Sequence, residues 1–262
     1  MNKRVLKSSL IDDENVCAFF TTRDLPLKAG ERDDLIEDVE NNKKLVCEGF
    51  GIPEENLIIP IQTHSDNIEI INSSPLHPLT LTPYENTDAL VTNQPNIALA
   101  LNFADCVPII LYDPTKKVVA IAHAGWRGTV SQIASKTVKK MVEAFGVAPQ
   151  DIIALIGPCI AKCCFEVKQD VAEKLLATIQ CRRDGNPALL KTPLPSIHVD
   201  LKELNKLQLL ASGVTKIDLC EYCTCCDSGL FFSYRAEQGK TARHSAVIVL
   251  RETGNSKEET EQ

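Results

Sequence analysis

No apolar run in this 262-residue sequence reaches the ~18 residues of a membrane-spanning helix. The longest is interrupted by Asp105, Pro108 and Asp113. The stretch "MNKRVLKSSLIDDENV" turns acidic before any apolar segment of signal-peptide length, so no secretory signal is expected there. Basic surplus is lacking too. The 28 Lys and Arg against 35 Asp and Glu leave a formal net charge of -7, and the pI is near 5.3. Nucleic acid and anionic membrane are therefore not expected as partners. These absences predict a cytoplasmic protein. In that compartment the 11 cysteines would be reduced, serving as ligands or nucleophiles rather than as disulfides.

What is present suits a soluble globular chain with a sizeable core: 44% hydrophobic and 24% charged residues. The length allows one large or two small domains. No linker cuts the sequence, so a single catalytic domain over 1–251 is expected, with 252–262 ("ETGNSKEETEQ") as a disordered tail. Strands are read at "NVCAFFTTR", "NLIIPIQTH", "DNIEIINSS", "TDALVTN", "IALALNFADCVPIILYD", "KKVVAIAHAG", "DIIALIGPCI", "GLFFSYRAE" and "HSAVIVLR". Helices are read at "DDLIEDVENNKKLVCEGFG", at "GTVSQIASKTVKKMVEAFG" (capped by Thr129 or Ser131), at "KQDVAEKLLATIQ" and at "LKELNKLQLLASG". "SSPLHPLTLTPYEN" reads as an exposed loop. Strands cluster early and late without regular alternation, which predicts an α+β or mixed α/β fold.

One hairpin carries chemistry. "ADCVPIILYDPTKKVVAIAHAG" places Cys106 and His123 at the ends of two apolar strands joined by "DPTKK". Pro108 suggests an edge or a bulge. Pairing through that turn predicts that Cys106 faces His123, with Cβ atoms roughly 5 Å apart. Either residue alone is as readily explained by core packing; together they read as a site. His64, in "QTHSDN", ends another strand and is the natural third member. Two imidazoles and a thiolate suit Zn²⁺ with an open fourth position, and copper is possible. Arg127, in "HAGWRGT", precedes a helix, where it can grip an anion or merely pair with a surface carboxylate.

These segments resemble the purine nucleoside phosphorylases of the YfiH/YlmD type, first labelled the polyphenol oxidase or laccase-domain family. The resemblance rests on "FFTTR", "QTHSD", "TDALVT", "ADCVPIILYD", "AIAHAGWRGT", "IGPCIAKCCFEV", "VDL", Cys223–Thr224 and "LFFSYR". It implies zinc held by His64, Cys106 and His123, and a four-layer αββα fold with mixed sheets. It also implies phosphorolysis of adenosine, inosine, guanosine and 5′-methylthioadenosine, and deamination of adenosine. Copper-dependent phenol oxidation is the older implied activity. Purine nucleosides and phosphate would be the small-molecule partners. The sequence departs from the family pattern at "DLPLKAG", at "NNKK", where Lys43 would stand for an arginine, at Arg235–Ala236 and at Ala242–Arg243. These departures fall on expected phosphate and substrate contacts. Lys43 and Arg127 are the candidate phosphate cations, and Gln62, two residues from His64, would contact substrate or orient the ligand.

Elsewhere, "CEYCTCCDSG" holds Cys220, Cys223, Cys225 and Cys226. C-x-x-C is a zinc-knuckle or redox spacing, but a second metal would need a partner pair. Cys159, Cys163 and Cys164 could supply one if they lay close by. The family pattern accounts for Cys223 and part of the second cluster without metal, so no second metal is predicted. His77, His198 and His244 are not expected to be ligands. Glu166 reads equally as a proton carrier or a structural carboxylate. Two rival readings stand beside the zinc enzyme: a metal-free hydrolase with Cys106 as nucleophile and His123 as base, and a non-enzymatic metal module.

Overall fold

The computed structural model describes residues 5–72, 84–178, 189–191 and 196–252, with only the backbone of 189–191. The loop expected around His77 and the expected tail lie almost wholly outside these residues. The first half of the chain forms β1 (Val5–Leu6), β2 (Val16–Thr21), α1 (Ile36–Phe50), β3 (Leu57–Ile58), β4 (Ile68–Ile70), β5 (Ala89–Thr92), β6 (Ala98–Phe103), β7 (Val107–Asp113) and β8 (Val118–Ala124). Then come α2 (Trp126–Val130), α3 (Ile133–Phe145), β9 (Ile153–Ile156), β10 (Glu166–Val167), α4 (Gln169–Leu176) and β11 (Leu189–Lys191). The last elements are β12 (Ile197–Val199), α5 (Leu201–Ala211), β13 (Lys216–Leu219) and β14 (His244–Leu250).

Two mixed sheets stack face to face, in the orders β1-β2-β14-β6-β3 and β13-β9-β7-β8-β5-β4; β10-β12-β11 form a small third sheet. Alternation along the strands divides the core into three slabs. Phe20, Leu101, Phe103, Ile110, Ile121 and Ile248 fill the space between the two large sheets. On the outer face of the first, Phe19, Ala100 and Val247 pack on Val46 and Cys47 of α1. On the outer face of the second, Ile109, Leu111 and Ala120 pack on Ile133, Val138 and Met141 of α3 and on Leu204 and Leu209 of α5. Helix, sheet, sheet, helix: this is the four-layer αββα arrangement. Every residue of β7 and β8 is buried. Strands covered on both faces need apolar residues throughout, which is why they read as unbroken runs.

Several local expectations are corrected. The β7–β8 ladder pairs Pro108 with His123 and Asp113 with Val118, so Cys106 does not face His123. A shift of two positions keeps both side chains on one sheet face, because strand side chains alternate with period two. β7 is also central, between β8 and β9. Pro108 is accommodated because pairing with β9 begins only at Ile109, so no ladder partner needs its missing N–H. The helix expected from Gly128 starts earlier, at Trp126, and breaks where Gln132 turns left-handed (φ 58°). "GLFFSYRAE" is not a strand but a series of turns. β13 was not expected at all.

His244, at the start of β14, is fully buried, its ring between those of Phe231 at 5.4 Å and Phe103 at 6.5 Å. Burial holds its imidazole down at about 3. An unfolded histidine titrates near ~6.5. The neutral buried ring therefore contributes its full share of stability above about pH 6.5, and that share is lost as pH falls toward the folded value. His244→Phe should remove this loss. Thermal melts at about pH 7 and about pH 5 should show a smaller drop in Tm for the variant than for the parent. An equal drop would assign the acid sensitivity to other groups.

Candidate functional site

Three connections meet at one end of the sheet sandwich. The β6–β7 corner carries Cys106, the end of β8 carries His123, and the segment between β3 and β4 carries His64. One ligand atom from each lies within 4.8 Å of the others. The two imidazoles meet edge to face, with centroids 4.9 Å apart. His123 is buried, Cys106 is partly buried and His64 faces solvent, so the cluster has one open side.

A single carboxylate organises two of the three residues. Asp88, fully buried, lies just before β5 and bonds His123 Nδ1 through Oδ1 at 2.7 Å. The same carboxylate accepts from the backbone N–H of Thr63 and of His64 at 3.1 Å each, and of Ser65 at 2.7 Å. It also accepts from Ser65 Oγ at 2.7 Å. This nest holds His64 in the left-handed region (φ 63°), where residues other than glycine are uncommon. Burial raises the Asp88 carboxyl, but the His123 and Ser65 hydrogen bonds outweigh it and bring it to about 2. With Nδ1 engaged, Nε2 of His123 is left for the thiol or a metal, as the carboxylate on a metal-binding histidine arranges.

The Cys106 corner is braced separately. Asp105 takes a positive φ of 89°, and its carboxylate accepts from Thr224 Oγ1, Ser233 Oγ and the Arg235 N–H, each at 2.7 Å. Burial pushes the Cys106 thiol up, but the charge of His123 and hydrogen bonds from both histidines overcome it, bringing it to about 6. Burial lowers His123, while the thiolate and Asp88 raise it, to about 9. Each partner thus favours the charged form of the other. A Cys–His nucleophile would need only one histidine; two imidazoles converge on this sulfur, a donor set that could hold a metal ion.

The cluster floors a pocket of ≈ 480 Å³, a volume suited to a small organic ligand. Lys28, Arg127, Arg235 and Arg243 give its wall positive charge, and Trp126, Ile160, Phe165 and Tyr234 give it apolar surface.

A family model described as multi-copper polyphenol oxidoreductase laccase matches residues 21–251. The purine nucleoside phosphorylase YlmD of Bacillus subtilis (strain 168) is 36% identical over 224 residues, covering 82% of this chain and 78% of the relative. The chain belongs to this family. The adenosine deaminase RL5, from an unknown prokaryotic organism, is a further relative, 36% identical over 193 residues, or 71% of this chain and 72% of its own length. The crystal structure of YlmD from Geobacillus stearothermophilus superposes with a TM-score of 0.85 at 32% identity, covering 96% of this chain and 98% of that one. This member of the laccase-domain family is an enzyme, as its curated relatives are. Among the described residues no helix is long and apolar enough to cross a membrane.

Within the laccase-domain fold the expected site residues take different places. His64, Cys106, His123, Gln62 and Arg127 all line the pocket. Gln62 is tied to the backbone of Asn102, donating to its carbonyl at 2.9 Å and accepting from its N–H at 2.8 Å. It therefore braces the His64 segment against β6. Arg127 lies over the Trp126 ring at 4.3 Å. Lys43 is not in this pocket; it pairs with Glu40 on α1 at 2.7 Å and lines an adjoining groove. Two further cations of the pocket wall, Lys28 and Arg243, are backbone neighbours. Arg243 is held by Glu31 at 3.1 Å. Loss of hydration in the wall and the nearby Arg243 charge keep the Lys28 amine below the usual lysine range. Asp88 and Asp105 were not singled out from sequence as site residues, while Lys28 and Arg243 entered only within departures from the family pattern. Only the "TDALVT" and "ADC" segments around the two aspartates hinted at them.

Proposed function

We propose that this enzyme uses zinc at His64, Cys106 and His123 to cleave purine nucleosides with phosphate and to deaminate adenosine. The observation that carries the reading is the His₂Cys cluster on the floor of a cation-walled pocket of nucleoside size. The donor set fits the metal. Its ligand atoms are mutually within 4.8 Å, one ligand is already drawn toward thiolate, and Asp88 fixes the ring orientation of another. When bound, zinc supplies Lewis acidity and makes water easier to deprotonate near neutral pH.

The chain's own residues do the rest. Lys28, Arg127 and Arg243 would gather phosphate in the pocket and set one of its oxygens in line with the anomeric carbon. As the C–N glycosidic bond breaks, its electron pair leaves on the purine, which takes up a proton, and a C–O bond to phosphate forms. Phe165, Trp126 and Tyr234 supply apolar and aromatic surface on which a purine can stack. In deamination, water adds at the purine carbon bearing the amino group and ammonia leaves.

The family model's description favours a second reading, copper-dependent phenol oxidation. Zinc has no redox states, so protein holding zinc alone should not pass electrons from a phenol to oxygen.

The deciding assay separates the products chromatographically from copper-free, zinc-loaded protein given adenosine. Adenine formed only when phosphate is present, together with inosine formed without it, supports the proposal. Absence of both, with sustained oxygen uptake on a phenol, would replace it with the oxidase. Turnover surviving zinc removal would favour the Cys106 hydrolase.

A further inference from the structure

Four cysteines from two loops converge outside the pocket. β9 and β13 run parallel, with Ile156 beside Leu219 at their C-terminal ends. The loops they emit meet again, one residue out of the strand register, at a bridge between Cys159 and Cys223, closed by the Thr224 N–H on the Cys159 carbonyl at 3.1 Å. Just beyond, the Sγ atoms of Cys163, Cys164, Cys223 and Cys226 all lie within 4.8 Å of one another. Cys226 Sγ is 3.3 Å from that of Cys164 and 3.6 Å from that of Cys163.

Packing does not explain this cluster. Cys163 and Cys226 are exposed, whereas a cysteine used as a small hydrophobe belongs in the core. A disulfide explains it poorly as well, because Cys226 approaches two sulfurs at once and a disulfide joins only one. A tetrahedral ion with Zn–S of about 2.3 Å sets S···S edges of about 3.8 Å, which matches the spacing. The backbone around Cys223 suits a thiolate. The Ala161 N–H donates to Cys223 Sγ at 3.3 Å. Asp227 closes the Cys223–Cys226 turn by accepting from the Cys223 N–H at 3.1 Å.

We infer that Cys163, Cys164, Cys223 and Cys226 form a second metal site, a closed tetrathiolate zinc that joins the β9 and β13 loops. Four protein ligands leave no open position, so this zinc is structural. Its place gives it work to do. Ile160 and Phe165 of the first loop line the catalytic pocket. Thr224 of the second holds Asp105, the neighbour of Cys106. Arg235 spans to the first loop, donating to the Cys164 carbonyl at 2.8 Å. The ion would thus clamp the wall that positions Cys106.

The test is elemental analysis of the full chain, purified under reducing conditions without added metal. Two zinc ions per chain are expected. His64→Ala should keep one, Cys226→Ser should keep one, and the combined variant should keep none. Cobalt loaded into His64→Ala should give the intense visible bands of a tetrahedral tetrathiolate, and these should vanish on adding Cys226→Ser. Cys226→Ser should also melt at a lower temperature, with the parent falling to match it after exhaustive chelation. If Cys226→Ser destabilises too far to purify, the cobalt spectrum of His64→Ala decides alone. A parent holding one zinc that His64→Ala abolishes would overturn the second site and leave the catalytic one standing. So would a Cys164–Cys226 or Cys163–Cys226 disulfide in freshly purified, alkylated protein. Two zinc ions in protein inactive on nucleosides would overturn the proposed activity and leave the tetrathiolate in place.

Discussion

His64→Ala, Cys106→Ala and His123→Ala should each abolish zinc binding at the catalytic site and lower adenosine turnover by about a thousandfold or more. Metal Lewis acidity is worth several kcal/mol of transition-state stabilisation, and each ~1.4 kcal/mol is tenfold in rate. A three-ligand site cannot lose a donor and keep its affinity. The fold should survive, since the three side chains sit on corners and a strand end rather than within the slabs of core. The effects should also differ in kind. His123→Ala leaves Asp88, which is fully buried, without its imidazole partner. An unpaired buried charge is costly, so this variant should lose the most thermal stability. His64→Ala removes a solvent-facing ring and should lose the least. Asp88→Asn touches no metal directly, so it should weaken zinc binding by about 10- to 100-fold without abolishing it. Zinc content, turnover and Tm measured together check the series. A ligand variant with full zinc and full turnover would remove that residue from the set. Asp88→Asn with unchanged zinc affinity would show that the histidines are held by packing instead.

The convergence of His64, Cys106 and His123 was legible in the sequence even though the hairpin register was not. Reading Cys106 opposite His123 misplaced the pair by two positions, since Pro108 is the residue across from His123. The site survived that error because a slip of two returns each side chain to the same face, whereas a slip of one would have turned Cys106 away from His123. Asp88 was harder to see. It lies where a strand begins, and its five acceptor contacts reach four residues, Thr63, His64, Ser65 and His123, none of them its neighbour in sequence. The cluster of Cys163, Cys164, Cys223 and Cys226 was legible only as a condition, that the two cysteine runs lie close together, and for a similar reason no second metal was expected. Its pairing depends on β9 lying parallel to β13, and "KIDL" is too short and too polar to announce a strand. Lys43 shows the converse limit. A cation can stand at the expected place in sequence while its helix turns it into the next groove.

Gly125→Ala should disable the site from the backbone, though Gly125 offers no ligand atom. Gly125 precedes α2 with φ -65° and ψ 175°, a conformation open to alanine, so the substitution carries no backbone strain. Its obstacle is space. A Cβ at this position would stand 2.8 Å from Cys106 Sγ and 3.1 Å from His64 Cδ2, against contact distances of about 3.5–4.0 Å for atoms of this size. Both ligands would have to retreat by several tenths of an ångström, and productive metal geometry tolerates about 0.2 Å. Zinc affinity should fall by about 100-fold, the upper end of what is lost when ligand orientation is disturbed, with turnover falling in step and Tm little changed. Gly146→Ala is the opposite case. Gly146 has φ 64° and nothing within 4 Å of an added Cβ, so alanine there should cost about 1 kcal/mol of stability and leave zinc and turnover alone. Zinc affinity by competition with a chromophoric chelator, beside thermal melts, reads both. Wild-type affinity in Gly125→Ala would mean that Cys106 and His64 can yield to the methyl group and still close on the ion, so that the bare backbone at this corner does not set the ligand geometry.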